Sequence, residues 1–167
     1  ALGIDFSANM IGIATDQRAR DDGTLSFRQG DALDLPVEDD AFDAATIAYG
    51  MRNLADYGSG FAEMGRAVRP GGVVACLEIT QPTSRLGRIV SVWFDNIVPL
   101  IGRLLGQGDA YADLARSVQG DPGPERIAQI MREVGLEQVE WEGFAGGIIV
   151  LHTGVVEAAT ESGALED

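Results

Sequence analysis

The stretch Gly30 to Asn53, GDALDLPVEDDAFDAATIAYGMRN, constrains the fold more than any other part of the chain. Pro36 and the acidic Glu38, Asp39 and Asp40 make a turn that no incoming strand can run through. Phe42 to Tyr49 is then a short apolar run bounded by polar residues, the pattern of a strand buried inside a parallel sheet. It ends in Gly50, Met51, Arg52 and Asn53. An Arg-Asn pair is thereby placed at the carboxyl edge of a sheet, where open α/β folds bind ligands.

The rest of the chain repeats this alternation. A strand at Gly3 to Asp5 precedes Ser7, which can cap a helix through about Arg20 with Met10, Ile11 and Ala14 on its inner face. Strands are predicted near Leu25 to Gly30 and Asp43 to Tyr49, and a helix from Asp56 to Val68 that Pro70 prevents from continuing. Val73 to Ile79 is the next strand, followed by an irregular helical region from Ser84 to Val118 and a helix from Pro124 to Val134. Strands at Gln138 to Gly143 and Gly147 to His152 complete the set. The 22 glycines punctuate many turns, with no internal repeat and no low-complexity linker. Strands alternating with helices in this way specify an α/β doubly wound sheet.

Composition narrows the function classes. In 167 residues, 46% apolar and 23% charged, one domain with a real core fits and a second is not called for. Twelve basic against 26 acidic residues give a net charge of -14, which disfavours a phosphate-backbone partner and so nucleic acid. A lone cysteine, Cys76, excludes an internal disulfide, and no cluster has the His, Cys and carboxylate spacing of a metal site. The cytoplasm is the default compartment on that count. No apolar run reaches the roughly 18 residues of a membrane span.

Several ordered blocks then agree on one family. Ala48 to Asn53, Arg69-Pro70-Gly71-Gly72, Leu77 to Pro82 (LEITQP) and Leu151-His152-Thr153-Gly154 resemble the menaquinone and ubiquinone C-methyltransferases of the UbiE/MenG/COQ5 family. The resemblance runs from about Gly3 to Gly154. It implies a Rossmann-like class I methyltransferase domain over residues 1–154, with a terminal antiparallel strand pair, a helical substrate cap and an acidic tail over 155–167. It also implies S-adenosyl-L-methionine as cofactor and a reduced, lipophilic quinone as substrate. The opening residues, ALGIDFS, look like the family's second strand and the turn after it. A first strand and a glycine-rich loop that wraps the methionine end of the cofactor are therefore expected upstream.

Within that resemblance, Asp5, with Phe6 beside it, lies after a strand and before a capped helix. A carboxylate there can accept hydrogen bonds from both ribose hydroxyls of the cofactor, or serve only as a helix-entry aspartate. Asp31 can accept from the adenine amine while Ala32 leaves room for the flat ring, a loop aspartate being the plainer reading. Family members often have a small hydroxyl residue where this chain has Ala48, so that contact falls to backbone or to Tyr49 stacking nearby.

Methyl transfer from a sulfonium needs little activation of the electrophile, because the departing thioether is neutral. The carbon nucleophile is the difficult half, and a reduced quinone ring attacks well once a hydroxyl gives up its proton. Arg52 stays charged and cannot readily act as base, but it can stabilise phenolate or polarise a water that Asn53 orients. A surface salt bridge is its bland alternative. His152, the only histidine, could accept the phenolic proton or be a structural residue in the sheet. Tyr111 and Asp113, in GDAYADLARS, belong to a block that either closes over substrate or packs as an ordinary helix. Glu78 faces the cofactor pocket or is an edge carboxylate.

Arg85 to Leu105 carries three arginines and one aspartate inside an acidic chain, and it gathers Trp93, Phe94, Ile97, Val98, Ile101 and Leu104. A cap over a quinone pocket that touches a membrane surface suits that composition, as do core helices or a homodimer face. Two rival functions stay open: a methyltransferase of another small aromatic or lipid, and a non-catalytic methyltransferase-like binding or assembly protein.

Overall fold

The computed structural model describes residues 1–17, 24–80 and 122–158. In chain order these form β1 (Leu2–Asp5), α1 (Ala8–Gln17), β2 (Ser26–Gln29), β3 (Phe42–Ala48), a 3-10 turn (Met51–Asn53), α2 (Tyr57–Ala67), β4 (Val68–Ile79), α3 (Pro124–Glu133), β5 (Leu136–Phe144) and β6 (Ile149–Val156). The expected helical region from Ser84 to Val118, with the Arg85–Leu105 cap, Tyr111 and Asp113, lies outside the described residues, as does the tail beyond residue 158.

β1 and β2 form a parallel pair, Ile4 opposite Arg28. The other four strands make one sheet in the order β3-β4-β6-β5. β3 and β4 are parallel, with Ile47 opposite Cys76, and β6 runs antiparallel to both β4 and β5. The α/β class and the terminal antiparallel strands expected from the sequence are both present. Among the described residues no strand joins β1 to β3, so the parallel half of the sheet is interrupted between them.

α2 and α3 cover one face of the larger sheet. Phe61, Met64 and Ala67 recur on α2, and Ile127, Ala128 and Met131 on α3, at the helical spacing that makes a single buried stripe. They close over Val74 and Cys76 of β4 and over Met51 of the 3-10 turn. Complete burial of Phe61 and Ile127 contributes roughly 1.5–3 kcal/mol each. The N-cap of α2 is Asp56, whose Oδ2 accepts from the Ser59 backbone N–H at 2.6 Å.

The structure departs from the sequence expectation in β4, α1 and β6. β4 begins at Val68 rather than Val73, because Val68 pairs with Phe42 before the register shifts and Val73 falls opposite Ala44. Pro70, which has no N–H to give a ladder, sits inside that irregularity. Gly72 follows it, where a Cβ would fall 2.6 Å from the carbonyl oxygen of Asp43, so only glycine lets β4 close on β3 there. On α1, Ser7 caps as expected, accepting from the Met10 N–H at 3.4 Å, but only Ile11 and Ala14 are half-buried while Met10 is 52% exposed. β6 runs from Ile149 through Val156, past His152, where the sequence reading ended the last strand.

Candidate functional site

Two groups of the residues singled out in the sequence are assembled at strand ends. In the first, β1 ends in Asp5, whose Oδ1 accepts from the Ser7 N–H at 2.7 Å and is thereby oriented by the entry to α1. The Asp5 carbonyl accepts from the Gly30 N–H at 3.1 Å, and the Phe6 carbonyl accepts from Gln29 Nε2 at 3.0 Å. The turns after β1 and β2 are thus tied side by side. Asp31 and Ala32 therefore come next to Asp5 and Phe6. Asp31 holds its own turn through Oδ1, which accepts from the Leu33 N–H at 2.9 Å, while Phe6 is 76% exposed and Ala32 half-buried.

The second group lies where β3 and β4 end. Ala48 is the last residue of β3, opposite Leu77. Tyr49 donates its N–H to the Leu77 carbonyl at 2.8 Å and adopts φ +56°, a left-handed conformation that costs a non-glycine residue of order 1 kcal/mol or more. The residue stays 39% exposed. This bend throws the chain off the strand into the 3-10 turn, which fully buried Met51 anchors in the core. Arg52 is consequently swung over the end of β4. There its Nη1 donates to Glu78 Oε2 at 2.7 Å and its backbone N–H to Glu78 Oε1 at 3.3 Å. The Arg52 side chain is 11% exposed and Glu78 is completely buried, so the pair is a desolvated one and not the surface bridge of the plainer reading. Asn53 follows with an exposed side chain.

Glu78 is the residue whose place the sequence left open, and the structure puts it against Arg52. The available signal was a carboxylate closing an apolar strand, since a fully buried glutamate needs a cation. His152 resolves the other way. It lies opposite Cys76 on the face covered by α3, is completely buried, and its Nε2 meets the Pro124 carbonyl at 3.0 Å. The ring joins β6 to the start of α3 and has no exposed surface, the arrangement of the structural alternative rather than of a base open to substrate.

A clamp missed in the sequence fixes the loop between β2 and β3. Arg66 on α2 donates from Nη2 to the Leu35 carbonyl at 3.0 Å, from Nη1 to the Val37 carbonyl at 2.9 Å and to Asp39 Oδ1 at 2.7 Å. It also binds both oxygens of Glu63, and Glu63 in turn accepts from the Leu35 N–H at 2.9 Å. The loop that follows Asp31 and Ala32 is thereby fastened to the helix packed under Arg52. The Arg66 hydrogen bonds, opposed by partial burial and helped by the Leu35 N–H, hold the Glu63 carboxyl below its ordinary value of 4.5. A carboxyl lowered on folding stabilises the native state fully above its unfolded pKa, and that contribution is lost as pH falls through the lower folded value. Acid unfolding of Glu63→Gln should accordingly show a shallower loss of stability below pH 4.5 than the wild type, read from urea midpoints. Identical slopes would show that this carboxyl is not coupled to folding.

Comparison with known proteins adds an independent line. Residues 1–156 match the ubiE/COQ5 methyltransferase family. A demethylmenaquinone methyltransferase of Halalkalibacterium halodurans is 39% identical over 162 residues, covering 95% of this chain and 66% of that protein. Another, from Staphylococcus aureus, is 35% identical over 163 residues, covering 96% and 67%. The chain thus spans about two thirds of the length of these relatives. Among solved structures, phosphoethanolamine N-methyltransferase 2 of Haemonchus contortus, in complex with S-adenosyl-L-methionine, superposes with a TM-score of 0.68 over 93% of this chain and 43% of that one. At 15% identity that likeness shows the fold alone.

Proposed function

The chain belongs to the ubiE/COQ5 methyltransferase family, and from that premise we propose that the protein transfers a methyl group from S-adenosyl-L-methionine to a ring carbon of a reduced demethylmenaquinone. The observation that carries this reading is the Arg52–Glu78 pair: a guanidinium held almost out of water at the carboxyl edge of β3 and β4. The residues of the first group suit the cofactor. An exposed carboxylate at the end of β1, a second one beside it, the small Ala32 and an exposed Phe6 ring offer acceptors for ribose hydroxyls and an adenine amine next to an apolar surface. When bound, the cofactor supplies an electron-poor methyl on a sulfonium centre whose departing thioether is neutral.

The chain's own residues then have to prepare the nucleophile. Arg52 presents N–H donors that favour phenolate over phenol, and does so in a water-poor place where such a donor acts more strongly than in solvent. Asn53, exposed on the same turn, orients the ring oxygen or the water that carries its proton away. His152 takes no part in the transfer in this reading, being held on the Pro124 carbonyl.

A lipophilic quinone also bears a tail. From the composition of Arg85–Leu105 we further propose peripheral contact with a membrane surface, the described residues holding no helix long and apolar enough to cross one. The function is tested by incubating the intact protein with S-adenosyl-L-methionine and a reduced demethylmenaquinone analogue. The expected product is heavier by one methyl on a ring carbon. Cofactor binding without methylation of any reduced quinone would move the assignment to another small-molecule methyltransferase, and the absence of both would favour a non-catalytic protein of this fold.

A further inference from the structure

We propose that Glu78 is the positioning residue for Arg52: its buried carboxylate sets where the guanidinium stands when phenolate forms. The inference rests on the function proposed above and adds a residue to it. Glu78 is completely buried at the end of β4, and a carboxylate there persists only against a cation or several donors. Arg52 reaches both of its oxygens. Oε2 takes Arg52 Nη1 at 2.7 Å and Oε1 takes the Arg52 backbone N–H at 3.3 Å, with the Ile79 N–H reaching Oε2 at 3.3 Å. One carboxylate therefore fixes the 3-10 turn through its backbone and the guanidinium through its side chain.

That double hold explains why the left-handed bend at Tyr49 is sustained. The strained turn is fixed from three sides, by the Tyr49 N–H on Leu77, by buried Met51 and by Glu78. Holding a long arginine in place before substrate arrives removes that ordering cost from the reaction. Glu78 does this through Arg52, without contact to the reacting atoms.

The test compares Glu78→Gln, Glu78→Asp and Arg52→Ala, alone and with Glu78→Gln added to Arg52→Ala, in the intact protein. Turnover and KM are measured with a reduced demethylmenaquinone analogue, and cofactor affinity by titration calorimetry. Glu78→Gln keeps shape and loses charge. It should lower kcat by on the order of tenfold to a hundredfold, as expected for a donor displaced by about 1 Å, with cofactor affinity unchanged. Glu78→Asp keeps the charge on a shorter arm and should fall between Glu78→Gln and wild type. It also serves as the readout if Glu78→Gln does not fold. In the Arg52→Ala background Glu78→Gln should cost little further kcat. Wild-type kcat in both Glu78 variants, with Arg52→Ala impaired, would overturn the proposal and leave the function standing. A Glu78→Gln loss equally large with and without Arg52 would overturn it too, making Glu78 act on its own. Wild-type kcat in Arg52→Ala would instead remove the chemical role of Arg52 on which both readings depend.

Discussion

Arg52→Ala lowers turnover by on the order of a hundredfold or more and leaves cofactor affinity nearly intact, if the guanidinium stabilises phenolate as proposed. The size follows from where the side chain stands. With only 11% of it exposed, a donor aimed at developing negative charge is poorly replaced by bulk water once it is gone. The same substitution strands Glu78, and removing one partner of a buried ion pair typically costs about 3–5 kcal/mol of stability. A fall in the melting midpoint must therefore be measured alongside the fall in kcat. Arg52→Lys separates the two effects. A lysine keeps a cation against Glu78 and so restores most of the stability, yet its compact ammonium cannot present the planar fork of a guanidinium, and turnover should stay well below wild type. A folded Arg52→Ala protein that turns over at the wild-type rate would sink the mechanism.

Which parts of this site could be read in the sequence depends on the range of the interaction. Features written within a few residues were legible. Ser7 and Asp56 announce helix starts because their side chains reach N–H groups three residues on. The run from Phe42 to Ala48 announces a strand with Arg52 just past its end, but the expected burial inside the sheet is not met: among the described residues β3 is an edge strand, half-buried at Phe42, Ala45 and Ile47 and exposed between them. Contacts fixed by strand register were not legible. Glu78 meets Arg52 across 26 positions of chain, and nothing local says that β3 and β4 align so that these two ends coincide. The register shift between Phe42 and Ala44 moves every later pair, and it also makes β4 start before Pro70. His152 was ambiguous for the same reason. Its burial is decided by the Pro124 carbonyl at the start of α3, 28 positions away, and no periodicity in the last strand predicts which helix will cover it. Arg66 is a third instance, a helix residue whose partners at Leu35, Val37 and Asp39 belong to a loop the sequence showed only as acidic.

Asp5→Ala weakens binding of S-adenosyl-L-methionine by roughly 1.5–3 kcal/mol, the range for a charge-assisted hydrogen bond, or about ten- to a hundredfold in Kd. The carboxylate is exposed at the end of β1, so its loss removes no buried contact and the melting midpoint should hardly move. Its partner among the described residues, the Ser7 N–H, orients it at 2.7 Å without burying it. This makes Asp5→Asn informative. An asparagine oxygen can still accept from Ser7, so the turn into α1 is kept while the negative charge proposed for the ribose hydroxyls is lost. Asp5→Asn should then bind with an affinity between those of wild type and Asp5→Ala. Asp5→Asn and Asp5→Ala weakened to the same extent would instead make charge the whole of the effect. Titration calorimetry on the intact protein measures all three. Wild-type affinity in Asp5→Ala would exclude the residue from the ribose site and leave it the simpler role of holding the entry to α1, which Asp5→Asn would preserve and Asp5→Ala would not.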